Sequence, residues 1–212
     1  MTICVVTATA IAPPAHAQTT TEDAAASNTG EQVDARFAKH VYLNRRTRVS
    51  GTVSSGQAGR PVVVQLRRRG AWRTVARATT REGGAFSTTY RVRTIGRLGL
   101  RVRLADAPPT ASVAAAETGR VTAYRRAYAS WYGPGLYGNR LACGGRLSTS
   151  TIGVAHKTLP CGTRLTLRHR GRVVNARVID RGPYVGGREF DLTSATKNRL
   201  GFSGHGYIWS SR

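Results

Sequence analysis

Acidic side chains are scarce in this chain: 10 Asp and Glu stand against 33 Lys and Arg in 212 residues, a formal net charge of +23. Lysine is scarce too, since 30 of the 33 basic residues are Arg. Such a surface attracts polyanions, and nucleic acid, anionic cell-wall polymers and membrane headgroups all satisfy the same physics. Arginine dominance is also what a GC-rich genome produces, so the charge selects no partner, and nucleic acid is not the expected one. Long hydrophobic runs are missing. The apolar core from Ile3 to Ile11 is too short to span a bilayer and leads to Ala15-His16-Ala17, a small-x-small site of the secretory type, although no positive n-region precedes it. The expectation is a signal peptide over residues 1–17, cleavage after Ala17, no transmembrane segment thereafter, and a secreted or cell-envelope location. Cysteine is limited to three residues, and cleavage removes Cys4. The remaining pair, Cys143 and Cys161, is expected to form one disulfide in an oxidising compartment, worth about 3 kcal/mol in the chain-entropy picture. Zinc is the alternative, but no CxxC or HxxxH pair lies nearby, so no metal is expected. Nor is any organic cofactor implied.

Large apolar side chains are nearly absent from residues 18–37, which carry Thr, Ala, Ser and four of the ten acids. Such a segment buries too little surface to offset its ordering entropy and reads as a disordered linker. From about His40 the pattern alternates. "RLGLRVRL" puts Leu98, Leu100, Val102 and Leu104 on one face and Arg97, Arg101 and Arg103 on the other. "PVVVQLRRRGAWRTVARA" reads as two strands around an Arg-Gly turn, and "GGAFSTTYRVR" as another strand. Period-2 runs with Gly-rich breaks predict an all-β sandwich over residues 38–125. Its arginines are either the wetted face or a surface for glycans and polyanions. "ADAPPTASVAAAE" interrupts regular structure, and Arg120 to Arg125 reads equally as the last strand of the first domain or the lead-in to the second, 126–212. There, "TRLTLRHR" and "RVVNARVID" flank Gly171 as a hairpin. "DLTSATKNRLGF" predicts the one helix, capped by Asp191 or Thr193, and "GHGYIWSS" a closing strand. A mostly β unit of this size suggests a small barrel.

After Gly119 there are sixteen Lys or Arg and only three acids, Asp180, Glu189 and Asp191, all within "VIDRGPYVGGREFDLT". Asp180 ends an apolar strand and precedes a Gly-Pro turn, which leaves a carboxylate little freedom. Partial burial of such a group favours the proton that a general acid needs. The plainer reading pairs it with Arg181 or gives it a turn-initiating role. At most one of Glu189 and Asp191 is expected to join it. His156, before a Pro-Cys-Gly turn, is either an acid/base group or structural. Trp131, Tyr132 and Tyr137 sit among glycines in "SWYGPGLYG", suited to the apolar faces of sugar rings and equally to a core.

Together "ASWYGPGLYGNRLACGGRL", "GVAHKTLPCGTRLTL", "VIDRGPYVGGREFDLT" and "LGF" resemble, in order and spacing, the rare lipoprotein A (RlpA)-like family over about residues 127–210. The resemblance implies a six-stranded double-psi β-barrel with one or two short helices, a Cys143–Cys161 bridge, and a protein of the cell envelope acting on peptidoglycan glycan strands. Residues 40–125 look like an immunoglobulin-like or carboxypeptidase-regulatory-like sandwich by pattern. In catalytic relatives the barrel is a lytic transglycosylase that cleaves the MurNAc–GlcNAc bond without water and leaves a 1,6-anhydro-MurNAc end. Asp180, in the DRGP motif, would be the acid. His156 would line the groove as its catalytic companion. Trp131, Tyr132, Tyr137, Arg181, Tyr184 and Asp191 would bind substrate, with Asp191 orienting the loop or capping the helix. Catalytic relatives often carry an acid in an "ANGE"-like stretch where this chain has Gly145, which leaves a second reading: an expansin-like module that binds glycan, with its arginines on anionic wall polymers, and does not cut.

Overall fold

The computed structural model describes residues 31–106 and 119–212. The expected signal peptide, most of the expected linker and the Pro-Pro stretch lie outside them. Two-residue turns set the early hairpins. In the hairpin of β4 (Pro61–Arg68) and β5 (Ala71–Thr79), Arg69 and Gly70 both have positive φ (48° and 83°). That is the mirror-image turn whose twist matches paired strands. The Arg-Gly signal thus forms where the sequence places it.

Around this hairpin the first half of the chain builds two sheets. One contains β1 (Val33–Phe37), β3 (Arg46–Val53) and β6 (Ala85–Arg91). The other joins β4 and β5 to β7 (Gly96–Leu104), which pairs with β8 (Gly119–Tyr132), and β2 (His40–Tyr42) lies parallel to β8. Alternation does the packing: Leu98, Leu100, Val102 and Leu104 are buried against Val49, Val53 and Phe86 of the facing sheet. Val33–Phe37 is a strand, where the sequence reading has linker. Val33 enters the core, Ala35 and Phe37 pack against it, and β1 gains an antiparallel ladder with β3. Polar composition hid an alternating trio that needs a distant partner.

β8 resolves the ambiguity at Arg120 to Arg125, because one fourteen-residue strand serves both halves. Val121 and Ala123 belong to the first core, Ala127 and Ala129 to the second. Tyr124, fully buried between them, meets His40 through its hydroxyl at 2.9 Å. Tyr42 packs against Trp209 with ring centres 4.3 Å apart and the planes tilted, and takes a hydrogen bond from Arg168 at 3.1 Å.

The second half closes on itself. β8 pairs with β13 (Gly206–Ser210), β13 with β10 (Arg164–His169), and β10 with β11 (Arg172–Asp180). β11 then pairs in parallel with β9 (Val154–Ala155), β9 with β12 (Phe190–Thr193), and β12 in parallel with β8. Closure leaves these six strands without a free edge. Leu167, Val178, Phe190, Leu192 and Ile208 fill the interior. The helix α1 (Ser194–Leu200) starts at Thr193, whose hydroxyl accepts from Thr196 N at 3.3 Å, and ends on Gly201 at φ 60°. Thr193 is therefore the cap. Asp191 is not, because it lies inside β12 with its carboxylate turned to β8.

Candidate active site

The three acids of the barrel gather on one side because of strand register. Asp180 pairs across the sheet with Ala155, Ala155 with Asp191, and Asp191 with Ser130. Paired residues on neighbouring strands share a face, so this row sets two carboxylates on the same face with only an alanine methyl between. A register shift between Val178 and Asp180 makes the row possible. A bulge of this kind re-aims the side chain that follows it. Glu189 and Asp191 are two apart in an extended segment and so also share a face. Both join the site, one more carboxylate than the sequence reading allows.

Each carboxylate has a different environment. Oδ1 of Asp180 accepts from the backbone N–H of Ala142 and of Arg181, both at 2.9 Å. The Ala142 donor belongs to the loop tied down by the Cys143–Cys161 disulfide, whose Cα atoms are 5.5 Å apart, and by Cys143 N donating to Ile179 O at 3.2 Å. Asp191 accepts from Ser130 Oγ at 2.8 Å. Burial pushes its carboxyl up, against the opposing effects of Ser130 and Arg188, and the negative charge of Asp180 adds to the rise. Glu189 is gripped by both terminal nitrogens of Arg125, one of them at 2.8 Å, a fork-to-carboxylate pairing.

His156 adjoins Glu189 and the end of β11. Its backbone N–H donates to Asp180 O at 3.1 Å. Its ring Nδ1 accepts from the N–H of Thr158 at 3.1 Å and of Leu159 at 3.0 Å. An acceptor at Nδ1 places the proton of the neutral ring on Nε2, which lies 3.9 Å from Glu189 Oε1. Burial lowers the imidazole pKa, Arg125 and Arg181 lower it further, and Glu189 opposes them. The side chain is 12% exposed. This is a neutral, oriented donor whose Nε2 faces Glu189.

The remaining sequence-predicted residues divide. Tyr132 belongs to the site: its hydroxyl is buried without a partner in hydrogen-bond geometry. Burial first, and the nearby Asp180 charge second, push the phenol far above its ordinary value, so it stays protonated. Arg181 makes no ion pair with Asp180 among the described residues. Its guanidinium donates to His156 O at 3.2 Å and Leu159 O at 2.9 Å, which makes it a brace for the histidine loop. Trp131 packs against the barrel core under the Lys197 ammonium, 4.2 Å from the ring centre. Tyr137 donates to Ser194 Oγ at 3.0 Å, and a Cβ on Gly133 would come within 1.9 Å of that same oxygen. Glycine is what lets this aromatic loop approach the helix. Tyr184 is 82% exposed and keeps its ring face open at the rim. Gly145 is exposed, with φ +78° and open space where a side chain would point. The Arg125–Glu189 pair and the Ala142 N–H escaped sequence reasoning. Only the rarity of acids in the window pointed to Glu189.

The Asp191 environment has a thermodynamic consequence. A carboxyl whose folded pKa lies above the unfolded value of 3.8 contributes stability in acid that is lost as pH rises through the folded value. At neutral pH it is an unfavourable charge. Asp191→Asn keeps an oxygen for Ser130 and is expected to make the protein more stable at pH 7, by less than about 1 kcal/mol because the half-exposed group is screened. Urea unfolding at pH 7 and at pH 3.5 checks this. A variant less stable at pH 7 means that Arg188, not burial, governs the group.

A family model described as lytic transglycolase matches residues 124–209. The protein of Aquifex aeolicus named probable endolytic peptidoglycan transglycosylase RlpA is 44% identical over 87 residues, 40% of this chain and 38% of that one. The protein of the same name from Synechocystis is 42% identical over 80 residues, 37% of this chain and 25% of that one. The endolytic peptidoglycan transglycosylase RlpA of Campylobacter jejuni is 39% identical over 74 residues, 34% of this chain and 27% of that one. The chain thus spans between a quarter and two-fifths of these relatives' lengths, and the similarity is confined to the barrel. Residues 124–209 match the lytic transglycolase family model, and with six strands closed in this order they are an RlpA-like double-psi β-barrel domain.

Proposed function

We propose that the barrel is an endolytic transglycosylase acting on the glycan strands of peptidoglycan, in a protein exported and working in the cell envelope. The observation that carries this reading is the row Asp180, Ala155, Asp191 with His156 alongside, in a domain whose relatives bear that activity in their names. Asp180 gives a proton to the glycosidic oxygen as the bond to the anomeric carbon breaks. The MurNAc 6-hydroxyl then attacks that carbon, and the same carboxylate takes its proton. The nucleophile belongs to the substrate, so the two-carboxylate arrangement of a hydrolase is not required. His156, through Nε2–H, and the protonated Tyr132 donate to sugar oxygens or hold Asp180. Tyr184 offers a stacking face.

Gly145 favours a second reading, glycan binding without cleavage, because it stands where catalytic relatives often carry an acid. Mass spectrometry of material released from purified peptidoglycan and from peptide-free glycan strands decides between them. Anhydro-ended products are expected. Reducing-end products would mean a hydrolase, and no product with protein still pelleting on the strands would mean a binding module.

A further inference from the structure

A cleft of about 1170 Å³ lies away from the acidic row, at the seam between the two halves. Its first wall is the β4–β5 turn, with Arg67, Arg68 and Arg69, together with Arg97 and Arg120. Its second wall is the outer side of β10 and β11, with Arg164, Arg177 and the C-terminal Arg212. Among the described residues, no Asp, Glu, Phe, Tyr or Trp lines it. All eight arginines are exposed, and among the described residues none forms an ion pair. Among the described acids, Glu31 and Asp106 pair with Arg60, and Glu189 with Arg125.

Register makes the concentration costly. Arg164 and Arg177 are directly opposite on β10 and β11, and like charges in that position destabilise a ladder. A cleft of this volume exceeds most small-molecule sites and suits a segment of polymer. Guanidinium forks match phosphate oxygens, whereas readers of single-stranded nucleic acid add aromatic faces on which bases stack. Those faces are missing here.

We infer that the seam cleft is a binding site for a phosphodiester polymer without bases, of the polyol-phosphate kind. The site is independent of the barrel's chemistry and holds the chain to an anionic surface through ion pairs alone.

The test is fluorescence anisotropy of labelled poly(glycerol phosphate) against the purified protein at several salt concentrations. Competing probes are an oligo-dT strand and polygalacturonate. Arg69→Gln/Arg164→Gln/Arg177→Gln is expected to weaken poly(glycerol phosphate) binding at least tenfold. It should also reduce the slope of log affinity against log salt by on the order of 2, from about 0.7 per lost contact. Arg36→Gln/Arg48→Gln/Arg81→Gln, exposed positions outside the cleft, removes the same charge and should change affinity less than twofold. Because the first variant also relieves the Arg164–Arg177 repulsion, its melting temperature should hold or rise, which separates lost binding from lost folding. Equal losses in the two variants overturn the site. Tighter binding of oligo-dT or polygalacturonate than of poly(glycerol phosphate) overturns the ligand class.

Discussion

Asp180→Asn is expected to reduce release of anhydro-ended products by about 10²–10⁴-fold, the range that removal of a positioned acid or base gives, while leaving the fold and the glycan affinity in place. The amide keeps an oxygen where Oδ1 stands, so the Ala142 and Arg181 N–H groups retain an acceptor. It cannot deliver a proton and recover it. The measurement pairs product mass spectrometry with a pelleting assay and a thermal melt. Two neighbouring substitutions sharpen the reading. His156→Gln should lower activity less, because it removes an oriented donor and leaves the acid. Glu189→Gln should act only through His156, since Glu189 spends its charge on Arg125. If Asp180→Asn retains activity and Asp191→Asn loses it, the proton belongs to the half-buried carboxyl that burial already favours in its protonated form. The row would then act from its Asp191 end.

Much of the architecture was legible because local rules agreed with the global fold. Both turns need two residues at positive φ, which Gly70 and Gly171 take freely and Arg69 and Arg170 take at some cost, so both hairpins form where the glycines mark them. The alternation of Leu98 to Leu104 leaves no doubt about its buried face. Thr193 and Gly201 bracket the only α-helix among the described residues. What sequence could not give were features created by long-range pairing. β9 is two residues long, Val154 and Ala155, and exists only because β11 and β12 flank it. β1 is a strand only against β3, and β8 runs across a boundary that composition would cut. The site repeats the pattern. Asp180, His156 and the two cysteines were visible as motifs. The coupling of His156 to Glu189 and Arg125 was not, since Arg125 lies 64 residues before its partner, and neither its type nor its spacing announces the pairing. Arg181 was misleading for a related reason: adjacency to Asp180 in sequence invites an ion pair, yet its guanidinium reaches the backbone carbonyls of His156 and Leu159.

Breaking the Cys143–Cys161 bridge should cost more in function than its effect on folding accounts for. The cysteines are 18 positions apart, and freeing a loop of that length gives the unfolded chain enough entropy to lower stability by about 3 kcal/mol. Cys143→Ser/Cys161→Ser is therefore expected to shift the urea midpoint strongly downwards and to steepen the slope, because the freed loop lets the unfolded chain expose more surface. A large share of a small protein's stability would be lost, but under conditions where the variant is still folded a second deficit should remain. Ala142, next to Cys143, supplies one of the two N–H groups that fix Asp180, and Arg181 Nη2 approaches Cys161 Sγ at 3.2 Å while bracing the His156 loop. The bridge thus orients acid and histidine together, from opposite ends. Comparing turnover of the folded double variant with wild type, at matched folded fraction, separates the two contributions. Lost stability with unchanged turnover per folded molecule would make the bridge a staple only. Lost turnover, with glycan pelleting retained, would place it among the groups that hold the carboxylate in position.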